Sequence, residues 1–304
     1  MAFQSRLYAG EKDLHQMIDF VIESRSIGGP RVYYQLGDLL WQFFRWPHAE
    51  TEPEKNIRLW LDENEKLAGF AWFFPPKICE MQLHPHTQNT KLEPEMIAWV
   101  EEKARDSNQS VTDTTTLMIC VHESDRTRIA LLEAQSFVHD EFYLVHTTRS
   151  LHIPIDEPIL SDGFVVRHIQ GKSELENRIG AARESFERSR MTVESYSCLR
   201  KAPGFIPELD LIAIAPDGAC AAFAIGWIDP VNKIGYFEPV GTRRSFQRQG
   251  LGKAVLSEGL KRMRALGAEQ AVVLHAGSNP AAQRLYESVG FRPVHKFFYY
   301  SKKF

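Results

Sequence analysis

The chain has 304 residues, 43% of them hydrophobic and 25% charged, with a formal net charge of −3. That length suits about two domains of ~150 residues with buried cores. The small negative charge excludes a global pull toward nucleic acid or an anionic membrane, and no apolar run approaches the ~20 residues that span a bilayer.

The chain opens with MAFQSRLYAGEKD, which lacks the charged head, apolar middle and small-residue cleavage site of a secretory leader. Four cysteines, Cys79, Cys120, Cys198 and Cys220, show no CxxC spacing. A cytoplasmic protein with reduced thiols is the expectation. The opening pattern AFQSRLYAGEKDL at 2–14 returns as GFVVRHIQGKSEL at 163–175, with Phe3 matched by Phe164 and Arg6 by Arg167. SDRTRIALLEAQSFVHDEFYLVH at 124–146 likewise lies over SNPAAQRLYESVGFRPVHKFFYY at 278–300. Both stretches read as a polar cap, a short amphipathic helix, a phenylalanine and an aromatic-rich strand. A spacing this long means duplication of a whole domain rather than a solenoid repeat. The boundaries expected are 1–151 for the first copy, 152–162 for a linker bearing Pro154 and Pro158, and 163–304 for the second.

In the second copy, Phe164–Ile169 alternates like a strand and Glu174–Phe186 carries a helical period. SCLRKAPGF at 197–205 reads as a basic loop. Leu211–Ile214 and Ala219–Trp227 flank APDG as a hairpin, and Lys233–Thr242 is a strand interrupted by Pro239. From Gly252 to Leu266, Leu256, Leu260, Met263 and Leu266 form one helical stripe, stopped by Gly267. AVVL at 271–274 is a buried strand. Asn279 caps a helix with Pro280 at its first position, and Val294–Tyr300 is a last strand expected to close this domain. The order predicts an α/β domain on a mixed sheet.

Between strand and helix lies QRQGLG, residues 247–252. A helix start leaves N–H groups unpaired and carries partial positive charge, and glycine lets backbone approach an anion. Arg248 and Lys253 add cations. The spacing is neither GxxxxGK[ST] nor GxGxxG. Alone, the stretch fits a phosphate cradle or a glycine turn entering a surface helix.

In context it resembles the acyl-CoA diphosphate loop of the GNAT superfamily of N-acyltransferases: Gln247-Arg248-Gln249-Gly250-Leu251-Gly252 matches Gln/Arg-x-x-Gly-x-Gly. The preceding YFEPVGTRRSF is similar to the superfamily's splayed central strand, and NPAAQRLYESVGF to its asparagine–tyrosine helix. Arg243-Arg244 depart from the His-Pro or similar pair of many members. The duplication is similar to two-domain members such as mycothiol synthase. The resemblance implies two tandem GNAT-like domains, each a mixed, mostly antiparallel sheet flanked by helices. It implies acetyl-CoA as cosubstrate, no metal, and direct attack by the primary amine of a small molecule. The diphosphate would rest on residues 247–253, and Val240, Gly241, Thr242 and Asn279 would meet the pantetheine arm.

Acyl transfer to an amine poses two proton problems. An amine of pKa ~10.4 is only about 0.04% neutral at pH 7, a deficit of about 4.6 kcal/mol that a base offsets. Glu238, beside Pro239 at an interrupted strand, reads either as that base or as a carboxylate bonding backbone or Arg243. The departing thiolate takes a proton, and Tyr286 occupies the superfamily's acid position; the plainer reading is a core tyrosine. His275, after a buried strand near the cleft, reads as a satisfied histidine or a proton relay, and His84-Pro85-His86 as a solvated loop rather than a metal site, since no third ligand has suitable spacing. In the first copy, TQNTKL at 87–92 lies over QRQGLG without a glycine, and Leu132 stands over Tyr286. That copy is expected to be degenerate and structural, with some of Trp41, Trp46, Trp60, Trp72 and Trp99 lining an acceptor pocket or interface. The competing reading is a non-catalytic acyl-CoA-binding or regulatory module, and acetylation of a protein amine is a third.

Overall fold

The computed structural model describes residues 3–29, 32, 34–46, 48–75, 77–87, 91–108, 116–186 and 189–304. The first half runs β1 (Gln4–Leu7), α1 (Glu11–Gly28), α2 (Leu36–Phe44), α3 (His48–Thr51), α4 (Pro53–Asn56), β2 (Ile57–Leu61), β3 (Leu67–Phe74), β4 (Ile78–Leu83), α5 (Leu92–Asn108), β5 (Thr116–His122), α6 (Arg126–Ala134) and β6 (Val138–Ser150). The second runs β7 (Val165–His168), α7 (Leu175–Ser185), α8 (Val193–Leu199), β8 (Asp210–Ile214), β9 (Cys220–Asp229), β10 (Ile234–Thr242), α9 (Leu251–Ala265), β11 (Gln270–Ala276), α10 (Pro280–Ser288) and β12 (Arg292–Lys303). Residues 152–162 hold neither helix nor strand.

The duplication is visible in the side chains as well as in the element order. Arg6 forks onto Asp13 with both bonds at 2.6 Å, and Arg167 forks onto Glu174 at 3.0 and 2.5 Å. Each pair ties the first strand of its half to the start of the helix that follows. A bidentate guanidinium–carboxylate contact fixes orientation as well as distance.

Among the described residues the strands form one sheet in the order β1-β2-β3-β4-β5-β12-β6-β11-β10-β9-β8-β7. Only β4–β5 and β10–β11 pair in parallel, so the sheet is mixed and mostly antiparallel, as expected. The order carries one correction. Val294–Tyr300 does not close the second domain: β12 pairs with β5 from Phe297↔His122 to Lys303↔Thr116, and β6 of the first half pairs with β11 from Gln270↔Ser150 to Ala276↔Leu144. The two halves therefore exchange their final strands. Packing explains why β12 is at home there. Phe297 and Tyr299 join Met17, Phe20 and Trp72 on one face, while Tyr300 joins Leu132 and Phe137 on the other.

Helix α2 also bridges the halves. Leu39 and Phe43 bury into the first-half cluster, whereas Leu36, Leu40 and Trp41 pack with Ile179, Tyr196, Leu199 and Trp227 of the second. Gly37 permits this approach: a Cβ there would lie 2.5 Å from the Tyr236 ring and 2.6 Å from that of Trp227. Trp41 is thus an interface residue, while Trp60, Trp72 and Trp99 are first-half core.

Two local expectations change. Part of 197–205 is helical, because α8 begins earlier on a Thr192–Ser195 capping box. His84 is not solvated but buried beside the Phe20 ring, with centroids 5.7 Å apart.

Candidate active site

Strand β10 builds the centre of the site. It pairs with β11 only from Ile234↔Gln270 to Tyr236↔Val272, and its register against β9 shifts between Phe237 and Val240. Pro239 sits inside that shift and has no N–H to give to a ladder; the Glu238–Pro239 peptide is cis. Beyond Tyr236 the two parallel strands diverge, and the β11 side of Val240–Thr242 faces a groove instead of a strand.

That groove, about 540 Å³, runs between the open strand, the start of α9 and α10. Val240, Gly241, Thr242, Gln247, Arg248, Gly250, Leu251, Gly252, Lys253, Asn279 and Tyr286 all line it. Gln249 does not; its side-chain amide donates to the Ser245 carbonyl at 3.4 Å. Glu238 lies at the bulge, outside the groove proper. Sequence reasoning missed Phe186, Phe246, Arg284 and Ser288, which also line the groove. For the last two a signal existed: Ala281, Arg284, Leu285 and Ser288 have the i, i+3, i+4, i+7 spacing of one helix face.

Gly250 caps α9 in the left-handed region at φ 76°, and Arg248 precedes it at φ 64°. The conformation, rather than crowding, selects glycine at 250, since the nearest heavy atom to an added Cβ is the Ile159 carbonyl oxygen at 3.9 Å. At Gly252 space decides: a Cβ would press on Leu285 at 3.2 Å and Thr242 Oγ1 at 3.3 Å. Among the described residues, the amides of 248–253 donate to no protein acceptor, the first bond here being Ala254 N–H to the Gly250 carbonyl at 3.0 Å. Unpaired amides at a helix start, with Arg248 and Lys253 beside them, suit a diphosphate. Among the described residues the first half does not repeat this arrangement. Its matching helix α5 begins Leu92-Glu93, and Glu93 is ion-paired to Arg128, placing a carboxylate where α9 has the cation Lys253. Of TQNTKL, residues 88–90 lie outside the described residues.

Tyr286 lines the groove, and Glu238, at the adjoining bulge, is near enough for its charge to act on the phenol. Trp227 Nε1 donates to the Glu238 carbonyl at 2.8 Å and pins the bulge. The Glu238 carboxylate makes no protein hydrogen bond among the described residues; Arg243 is engaged by Glu184 at 3.5 Å and the Asn177 carbonyl. Burial raises the Glu238 pKa from 4.5 to about 8, with Asp38 adding to the rise and Arg45 opposing it. Asp38 comes from α2 of the first half, where its Oδ1 accepts from the Tyr236 hydroxyl at 2.6 Å and its Oδ2 from Gln35 N–H at 2.8 Å. Tyr286 is held by α10, whose Asn279 cap accepts from Ala282 N–H at 3.0 Å. Burial, with the Glu238 charge second, raises the Tyr286 pKa, so its phenol stays protonated. The hydroxyl has no protein partner among the described residues. The His275 ring lies tilted beside that of Tyr286, with centroids 5.9 Å apart. Its Nδ1 contacts the Ala276 carbonyl at 2.9 Å while Nε2 is buried without a partner, so it is only half satisfied. One end of the groove therefore suits an anion, and the other sets a proton acceptor near a proton donor. No group of three or more His, Cys, Asp or Glu among the described residues has a metal-binding arrangement.

These features define a class. Residues 175–291 match the acetyltransferase (GNAT) family model, and the chain is an acyltransferase carrying a GNAT acetyltransferase domain. Curated relatives add detail. The mycothiol acetyltransferase of Thermobispora bispora is 26% identical over 247 residues, covering 77% of this chain and 79% of that protein. That of Kineococcus radiotolerans is 35% identical over 106 residues, or 34% of this chain and 33% of the relative. Two solved structures share the whole fold at a TM-score of 0.70: a GCN5-related N-acetyltransferase from Sphaerobacter thermophilus, at 18% identity and covering 99% of this chain and 95% of that one, and a tandem GNAT protein from the clavulanic acid biosynthesis pathway, at 14% identity and covering 99% and 98%.

Proposed function

We propose that the protein transfers an acetyl group from acetyl-CoA to a primary amine of a small molecule, by direct attack, at one site in residues 163–304. Residues 1–151 serve as the structural half. One observation carries the reading: a groove with unpaired helix-start amides is lined by a protonated phenol, beside a bulge whose carboxylate has no hydrogen-bond partner among the described residues. The fit to the cosubstrate rests on this chain's own atoms. The amides of 248–253, Arg248 and Lys253 meet the diphosphate, and the open edge of Val240–Thr242 bonds the pantetheine amides.

The chemistry then follows from the two side chains. Glu238, ionising near pH 8, accepts the proton that the amine nitrogen sheds as its bond to the acyl carbon forms. The carbon–sulfur bond breaks, and Tyr286 donates its proton to the departing sulfur. No covalent acyl-enzyme is needed: among the four cysteines, Cys79, Cys120 and Cys220 are buried, and Cys198 lies on α8 outside the groove lining. The test is release of CoA thiol across a panel of primary amines, with calorimetry of acetyl-CoA alongside. The reading expects amine-dependent thiol release and one bound acetyl-CoA per chain. Tight binding with no release for any amine would leave the non-catalytic module instead, and two equivalent sites would reject the structural role of the first half.

A further inference from the structure

Helix α2 of the first half delivers two charged groups to the neighbourhood of Glu238. Asp38 is fully engaged by Tyr236 and Gln35. Arg45 is not. It stands at the C-terminal end of α2, its backbone N–H bonded to the Trp41 carbonyl at 2.9 Å. No carboxylate pairs with its guanidinium among the described residues, and its Nε is buried without a hydrogen-bond partner. The Trp46 ring lies 5.3 Å from Cζ and supports the guanidinium plane. Arg45 lies outside the diphosphate groove, yet it is close enough to Glu238 for each charge to act on the other.

A half-buried guanidinium whose Nε is shut off from water without a partner is costly to keep, and burial already disfavours its charged form. Guanidinium presents a planar fork that matches carboxylate and phosphate oxygens. The helix C-terminus contributes some compensation, but its macrodipole is worth only about 0.3–1 kcal/mol at ordinary sites. Glu238 is a poor permanent counter-ion as well, because it remains largely protonated at neutral pH. The missing partner is best supplied by whatever binds beside Glu238, which in the acetyl-transfer reading is the acceptor amine.

We propose that Arg45, brought to the site by the first half of the chain, binds a carboxylate or phosphate on the acceptor and so selects anionic amines over neutral ones. The inference rests on the acetyl-transfer reading and narrows its substrate class. It also gives the structural half a role in specificity. Once its charge is met by the acceptor's anion, Arg45 no longer opposes proton uptake by Glu238, and the base strengthens when a correct substrate is in place.

The test compares amine pairs that differ in the anion: glucosamine against glucosamine 6-phosphate, and 3-aminopropanol against β-alanine. Thiol release is measured for the parent, Arg45→Gln and Arg45→Lys. The parent should favour the anionic member of at least one pair by about 10²-fold in kcat/KM, the scale of losing a desolvated charge pair. Arg45→Gln should bring that ratio toward one, and Arg45→Lys should fall between. Which pair responds identifies carboxylate or phosphate. If Arg45 serves Glu238 alone, Arg45→Gln moves the pH–rate limb upward for both members and leaves the ratio intact. That result, or a parent ratio near one, overturns the proposal. A second measurement does not depend on turnover: thermal unfolding of the CoA-saturated protein with glucosamine 6-phosphate or β-alanine. A midpoint rise present in the parent and lost in Arg45→Gln supports the anion site even if no amine is acetylated, which would reject acetyl transfer itself. No rise for either anion, or an equal rise in Arg45→Gln, rejects the anion site.

Discussion

Replacing Glu238 with glutamine separates stability from catalysis. In the folded chain Glu238 keeps its proton to about pH 8 because burial and Asp38 disfavour the charge, whereas an unfolded glutamate releases it at 4.5. Between these values the unfolded state binds fewer protons than the folded one, so stability falls as pH rises. The rise from 4.5 to about 8 corresponds to about 5 kcal/mol, fully lost above pH 8 and fully retained below 4.5. Glutamine has no such dependence. Urea unfolding of both proteins from pH 4.5 to 9 should show Glu238→Gln gaining on the parent by about 3–5 kcal/mol across that range. Other titrating groups act on both proteins and cancel in the difference. In the same variant, turnover on a good acceptor should drop by about 10²–10⁴-fold, and the rising limb near pH 8 should disappear. Parallel stability curves would refute the reasoning, for Glu238 would then titrate as an ordinary exposed glutamate.

Tyr286→Phe keeps the ring and its packing against Phe291, so acetyl-CoA affinity by calorimetry should hold, while kcat and kcat/KM fall together by about 10²–10⁴-fold. Retention of most of kcat would make Tyr286 a packing residue. His146 is fully buried, both ring nitrogens have no partner among the described residues, and burial lowers its pKa from 6.5 to about 3. Its neutral form is favoured in the folded state, so the chain should lose up to about 5 kcal/mol as pH falls from 6.5 toward 3, and His146→Leu should flatten that part of the urea-derived stability curve. Gly37→Val places a side chain into Tyr236 and Trp227 and should cost about 1–3 kcal/mol or more, read as an earlier urea midpoint. Residues 163–304 expressed alone lack β6, leaving β11 with an open edge and β12 without β5; circular dichroism and urea unfolding should show no cooperative transition like that of the full chain.

The sequence by itself determined what depends on near neighbours along the chain. Asn279-Pro280 writes a helix start, Gly267 a helix stop, APDG a hairpin, and Gly250-Leu251-Gly252 a glycine turn into a helix, because capping and positive φ are local requirements. The duplication was legible for the same reason, as two stretches repeating one local pattern. The open strand at Glu238-Pro239 was legible from proline's missing donor. Tertiary structure alone decided the rest. β6 and β12 carry similar aromatic-rich patterns, so neither says which half it will join; the choice fell to the surfaces offered by Phe20, Trp72 and Leu132 on distant elements. Nothing around Glu238 in sequence foretells Asp38 and Arg45, which arrive from about 200 residues away because Gly37 lets α2 meet Tyr236 and Trp227. Glu238's proton affinity follows from that meeting: a charge's free energy is set by solvent exclusion and nearby charges in space, and chain order records neither.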